Sequence, residues 1–172
     1  MISSTVSSKI LKAIAKQEGF NFVETLTGFK WMGNKAWELM NEGKTVLLAF
    51  EEAIGYMCGT TVLDKDGVGA AMQLAQLAAY LETQGKSLRQ HLDFIYNEYG
   101  YHVSNNSYFI CHHQPTIEAM FHRLRNFNGP ETYPDNLDSY VIQGVRDLTT
   151  GYDSTEPDKK AVSSNSFTFV LS

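Results

Sequence analysis

The sequence predicts an α/β fold, a layered mixed sheet with flanking helices, followed by an incomplete α+β unit. Three observations carry this expectation. Through roughly the first hundred residues, short strand-like runs alternate with segments of helical period, joined by brief glycine-bearing connections. The run Thr45-Val46-Leu47-Leu48-Ala49-Phe50 is almost wholly apolar, as a buried strand is, and it stops abruptly at two carboxylates, Glu51 and Glu52. Near Gly100 the character changes to aromatic and β-branched stretches around one helical segment.

Taken in order, Ile2 to Val6 has the composition of a short strand. Thr5, Ser7 and Ser8 offer caps for an amphipathic helix carrying Ile10, Leu11, Ile14 and Ala15, and Gly19 ends it. Phe20 to Leu26 alternates as a short strand, and Thr27-Gly28 marks a turn. A helix is expected from about Gly28 to Asn41, with Trp31, Met32, Ala36, Leu39 and Met40 on its buried side and Gly43 closing it. The strand from Thr45 to Phe50 follows, then a loop as far as Asp64–Gly67, where another helix starts. Leu74, Leu77, Ala78 and Leu81 recur at helical spacing there, and the alanines and Gly69 imply close packing against a neighbour. Gly85 follows its end. Ser87-Leu88-Arg89-Gln90 is a capping box opening a helix with Leu88, Leu92, Ile95 and Tyr99, which ends at Gly100.

The remainder reads as strand, helix, strand, strand. Tyr101 to Cys111 has strand composition, and Pro115 suits the first position of a helix reaching Asn126 with Ile117, Met120, Phe121 and Leu124 as its stripe. Asn128-Gly129-Pro130 breaks that helix. Residues 131–139 read as an irregular loop, 140–148 as a strand, 153–166 as polar and turn-rich, and 167–171 as a last strand. The expected division is 1–100 and 101–172, and both ends read either as cut from something larger or as frayed edge strands.

Composition bounds the function. The 172 residues, 43% hydrophobic, suffice for one domain or a small pair. A net charge of −5 argues against a nucleic-acid or membrane-surface binder. No run reaches the length of a membrane span, and Met1 to Val6 lacks the regions of a signal peptide, so a cytoplasmic location is expected. Cys58 and Cys111 form no close pair and read as free thiols. His112 and His113, adjacent on an extended chain, point to opposite faces, so no metal site is expected there.

The candidate chemistry gathers around Glu51. Acidic residues belong at the end of such a strand, and in open α/β sheets that edge binds ligands. Adjacent carboxylates on one loop rarely provide the opposed geometry of a hydrolase, whereas one carboxylate accepts two sugar hydroxyls. The other reading of residue type is a strand end breaking into solvent. Lys65, between Asp64 and Asp66 ahead of a helix, reads either as an anion-binding cation or as a solvated lysine beside a capping aspartate. In Thr27-Gly28-Phe29-Lys30-Trp31, the functional weight falls on Thr27, Gly28 and Lys30, since aromatics at helical spacing are usually core. Arg146-Asp147-Leu148-Thr149-Thr150-Gly151-Tyr152-Asp153 ends a strand and reads as a loop with a surface ion pair, with an interdomain contact as the alternative.

Together these segments resemble the α-D-phosphohexomutase superfamily, in its phosphoglucomutase-2 branch of phosphopentomutases and glucose-1,6-bisphosphate synthases. The resemblance runs through Thr5-Val6-Ser7-Ser8-Lys9-Ile10-Leu11, Glu24-Thr25-Leu26-Thr27-Gly28-Phe29-Lys30-Trp31, Ala49-Phe50-Glu51-Glu52-Ala53-Ile54-Gly55-Tyr56, Val62-Leu63-Asp64-Lys65-Asp66-Gly67, Tyr99-Gly100-Tyr101-His102, the Arg146–Asp153 stretch and Pro157-Asp158-Lys159-Lys160. It implies that residues 1–100 form the third, sugar-recognising domain of a four-domain mutase, and that 101–172 begin its phosphate-gripping fourth domain. Glu51 falls on the glutamate of the family's Gly-Glu-x-Ser sugar loop, and Ala53 falls on its serine, removing one hydroxyl contact. Lys65 matches a lysine near the reacting groups, and Thr27-Gly28 a loop approaching the sugar.

The implied substrate-binding set is therefore Thr27, Gly28, Lys30, Glu51, Ala53 and Lys65, with Lys65 also catalytic. The Thr-x-Ser-His nucleophile loop, the Asp-x-Asp-x-Asp-Arg metal loop and the Arg-Thr-Ser-Gly-Thr-Glu-Pro phosphate loop are absent from these residues. The resemblance thus implies a phosphosugar mutase parent that uses Mg²⁺ and glucose 1,6-bisphosphate, acts on sugar phosphates and supplies the remaining domains, with this segment inactive alone. A bisphosphate synthase fragment and a non-catalytic truncated binding product are the alternatives.

Overall fold

The structure is a computed structural model, and it describes residues 1–105, 110–155 and 167–171. Two compact units divide the chain, Met1–Asn106 and Ser107–Ser172.

The first unit is built on a four-stranded sheet. Its strands are β1 (Ile2–Ser4), β2 (Val23–Thr25), β3 (Leu48–Glu51) and β4 (Gly55–Cys58). Their order across the sheet is β2-β1-β3-β4, with β1 parallel to both neighbours and β4 antiparallel to β3. The helices are α1 (Ile10–Glu18), α2 (Phe29–Asn41), α3 (Gly67–Thr83) and α4 (Leu88–Tyr99). Parallel neighbours need crossovers, and α1 and α2 supply them. Because the chain leaves β1 for one side and returns as β3 on the other, the order reverses at β1. An α/β sheet opens a crevice at the carboxyl end of such a switch point.

Most elements lie where the periodicity places them. Gly19 and Gly43 take the left-handed conformation after α1 and α2, where a Cβ is penalised. The Ser87/Gln90 capping box forms with both reciprocal bonds. Ser8 Oγ accepts from the Ile10 N–H at 3.3 Å, while Ser7 turns away from α1. The core joins Ile2, Phe29, Met32, Ala36, Val46, Ala49 and Met57, with Leu39, Met40 and Leu63 packed against it. Trp31, expected on the buried side of α2, is exposed, and Phe29 and Gly33 take that face instead.

Two expectations in this unit are corrected. The stretch after Glu51-Glu52 is not a loop up to Asp64: Gly55–Cys58 returns as β4 after a three-residue turn. Of the α3 residues expected to be core, only Leu81 is buried, while Leu74 and Leu77 are exposed. Gly69 serves the cap rather than helix packing, because a Cβ there would collide with the Asp66 carboxylate that accepts from the Gly69 N–H at 3.0 Å.

The second unit carries α5 (Gln114–Arg125), β5 (Asn136–Leu137), β6 (Tyr140–Asp147), β7 (Tyr152–Asp153) and β8 (Phe167–Leu171). Among the described residues, its pairings are all antiparallel and centre on β6. Pro115 sits in the first turn of α5 as expected, and Asn136–Leu137 pairs with β6 where an irregular loop was expected. Of the expected strand 101–111, the described residues 101–105, 110 and 111 form none, and 106–109 lie outside the described residues. The turn-rich 153–166 stretch likewise falls outside them from 156 onward. The Arg146–Asp153 segment is the end of β6 and the start of β7 joined by an exposed turn, and its ion pair is buried rather than on the surface. Arg146 pairs with Asp153 at 2.7 Å, both buried. Asp147 is fully buried and accepts from Arg125 Nε at 2.6 Å, Tyr133 OH at 3.1 Å and the Thr149 N–H at 3.0 Å.

A carboxylate cluster at the sheet switch point

Three loops meet the carboxyl edge of the first sheet: residues 5–9 after β1, 26–28 after β2 and 52–54 after β3. Glu51, the last residue of β3, is only 6% exposed. Its Oε2 accepts from the Gly28 N–H at 2.9 Å, and its Oε1 lies 2.8 Å from Lys65 Nζ. Both oxygens are thus held, as a buried carboxylate requires. An ionised carboxylate offers about four lone-pair positions, so the group retains acceptor capacity for ligand hydroxyls.

Lys65 spans two environments. Its ammonium pairs with Glu51, lies 5.8 Å from the centre of the Phe29 ring, and remains half exposed. The capping aspartate of the simpler reading is present as Asp66, and the lysine beside it is paired with Glu51 as well as half exposed to solvent. The aspartates beside it face elsewhere: Asp64 accepts from the Lys65 N–H at 2.7 Å, and Asp66 caps α3. The α3 N-terminus is accordingly occupied by its own carboxylate. Phe29, Glu51 and Lys65 converge on Gly55, where an added Cβ would stand 2.5 Å from the ring and 3.1 Å from each of the other two side chains. Only a residue without a side chain lets these groups close up.

Of the six residues expected to bind substrate, Glu51, Gly28 and Lys65 are brought together. Thr27 is exposed beside Gly28, and Ala53 is exposed at the tip of the β3–β4 turn. Lys30 stands apart, its ammonium 6.0 Å from the centre of its neighbour Trp31. Sequence reasoning missed three participants: Phe29, Gly55 and Ser7. Ser7 Oγ accepts from the Glu52 N–H at 2.9 Å and shares a 2.6 Å hydrogen bond with Ser4 Oγ. The available signal is the run of hydroxyl residues after β1, a pattern that suits helix capping equally well.

The class defined by these features is an open α/β domain with a buried, cation-paired carboxylate at its switch point. The chain belongs to the phosphoglucomutase/phosphomannomutase family, and its residues 1–99 match the alpha/beta/alpha domain III of that family. It is 62% identical over 162 residues to the phosphopentomutase of Homo sapiens, covering 94% of this chain and 26% of that protein. The glucose 1,6-bisphosphate synthase of Homo sapiens is 57% identical over 162 residues, with the same coverage of 94% and 26%. The chain therefore spans about a quarter of the length of the curated relatives it matches. In fold it is similar to the open form of the exocytosis-sensitive phosphoprotein pp63/parafusin, a phosphoglucomutase from Paramecium, with a TM-score of 0.60 at 19% identity over 98% of this chain and 28% of that one.

Proposed function

We propose that this chain is the sugar-recognition segment of a phosphosugar mutase that interconverts sugar 1-phosphates and terminal sugar phosphates. Residues 1–100 recognise the sugar, and residues 101–172 begin the phosphate-binding domain. The observation that carries the reading is the convergence of Glu51, Gly28 and Lys65 at the switch point of the sheet. Glu51 accepts sugar hydroxyls on its free lone pairs while Gly28 fixes its orientation. Lys65, half exposed, has donors left to meet a phosphate oxygen, where it stabilises transferring charge or moves a proton. Thr27 and Ala53 flank the approach, Ala53 offers no hydroxyl to the sugar, and Lys30, which stands apart from the cluster, meets the ligand only from the periphery.

The nucleophile and metal of phosphoryl transfer belong to the longer parent, through a phosphoserine and a bisphosphate intermediate. Mg²⁺ has no fitting ligand set here, since among the described residues no group of three or more His, Cys, Asp and Glu side chains is able to hold a metal ion. Among the described residues, no helix is long and apolar enough to cross a membrane.

Titration of the chain with glucose 1-phosphate and ribose 1-phosphate tests the site. Glu51→Gln is expected to lower affinity roughly tenfold, the worth of a charged hydrogen bond. Equal, measurable affinities would remove Glu51 from the site. The chain alone is expected to turn over no phosphosugar. The similarity to a bisphosphate synthase keeps a second reading in view. Assaying the longer parent with 1,3-bisphosphoglycerate as phosphoryl donor separates the two.

A further inference from the structure

We propose that Ser7 is a positioning residue for the Glu51 cluster: its buried hydroxyl fixes the turn that aims Glu51, and through it Lys65, at the ligand. The inference rests on the reading of Glu51 and Lys65 as substrate groups given above.

Ser7 is 3% exposed and lies 45 residues from the residue it holds. A buried hydroxyl is unfavourable unless bonded, and a small apolar residue would fill the same space without that cost. Ser7 is fully engaged. Its N–H donates to Ser4 O at 3.1 Å, which folds the chain back after β1. Its Oγ shares the 2.6 Å bond with Ser4 Oγ, itself buried, and accepts from the Glu52 N–H at 2.9 Å. That N–H stands one residue beyond the last ladder pair of β3 with β4, Glu51 with Gly55. The bond therefore ties the first residue of the turn to the loop after the central strand.

The turn needs such a tie because it is strained. Ile54 has φ +54°, a left-handed conformation that β-branched residues avoid, and its N–H closes back on Glu52 O at 2.7 Å. Strain of this kind persists only where the surroundings over-determine it. Gly55, crowded by Phe29, Glu51 and Lys65, fixes one end of the turn. Ser7 fixes the other. Without its hydroxyl the turn relaxes, the backbone of Glu52 shifts, and the Glu51 carboxylate loses its alignment with the Gly28 N–H and Lys65.

The test uses the isotope-labelled chain with Ser7→Ala and Ser7→Thr, read by hydrogen exchange at the Glu52 amide, by the Glu51 carboxyl and Lys65 ammonium resonances, and by titration with glucose 1-phosphate. Ser7→Ala is expected to speed Glu52 exchange roughly tenfold, to move both resonances and to weaken binding roughly three- to tenfold, the worth of one hydrogen bond. Exchange in α4 stays unchanged, and Ser7→Thr restores the wild-type values. Should Ser7→Ala not fold, Ser7→Cys, close in volume but a weak acceptor, carries the same comparison. A folded Ala or Cys variant with wild-type Glu52 exchange and an unmoved Glu51 resonance overturns the proposal. If glucose 1-phosphate binds no form of the chain, the sugar-recognition reading fails, and the exchange and resonance data still decide Ser7.

Discussion

Ile54 stands 85% exposed at the tip of the β3–β4 turn, in a backbone conformation that its branched Cβ resists. Its side chain gains little from burial there, so the strain has no offset in packing. Ile54→Asn, which tolerates the left-handed region, is expected to stabilise the chain by roughly 0.5–1 kcal/mol, read as a higher urea midpoint. A lower midpoint would sink the account of a strained turn. Neither this strain nor the pairing of Glu51 with Lys65 was visible in the sequence. A φ value leaves no compositional mark on an isoleucine, and an ion pair across a hairpin depends on that hairpin existing. Glu51 itself was legible, because an apolar strand ending in a carboxylate is an anomaly that periodicity alone exposes.

Helix α2 reaches the cluster through its glycine. Gly33 is buried, and a Cβ there would run into the backbone carbonyl of Leu63, two residues before Lys65. Alanine normally favours a helix by about 1 kcal/mol over glycine. Here the collision is with backbone, so Gly33→Ala is expected to destabilise the chain by roughly 1–3 kcal/mol, measured by thermal or urea unfolding. It should also displace the loop carrying Lys65. A rise in stability would show that the loop gives way freely.

Strand β6 makes a different demand. Burial alone pushes the Asp147 carboxyl up, but hydrogen bonds from Arg125, Tyr133 and the Thr149 N–H outweigh it and hold the group below its ordinary value. Asp153 is depressed in the same balance by Thr155 and Arg146. A depressed carboxyl stabilises the fold at pH values above its unfolded titration, near 4, and that contribution is lost as pH falls through the folded value. Stability against urea should therefore hold from neutrality to about pH 4 and decline below it. Asp147→Asn should cost roughly 3 kcal/mol at neutral pH and flatten that decline. An unchanged acid limb would exclude Asp147 as its source. At this scale the caps and helices were readable because their signals are local, as in Ser87-x-x-Gln90. Strand β4 was not, because four residues bounded by no turn dipeptide resemble a loop until β3 pairs with them.

Among the described helices, α3 combines an apolar composition with exposure. Val68, Met72, Leu74 and Tyr80 are all exposed on a helix whose composition suits burial. The chain alone is expected to self-associate as its concentration rises and to bind an apolar dye, with Val68→Lys and Met72→Glu together reducing both. A monodisperse monomer by sedimentation that ignores the dye would contradict this.

The placement of β1 has a consequence in time. The central strand precedes both of its partners, and Ile2 finds Val23 and Ala49 21 and 47 residues later. Closing the longer loop costs about 0.7 kcal/mol more than closing the shorter, so β1 and β2 meet first and wait for β3. Glu51 arrives with β3, and Lys65 follows only after β4. A chain in which β3 has not yet paired therefore lacks the contact of Glu51 with Gly28, and the pair with Lys65 needs the residues beyond β4 as well.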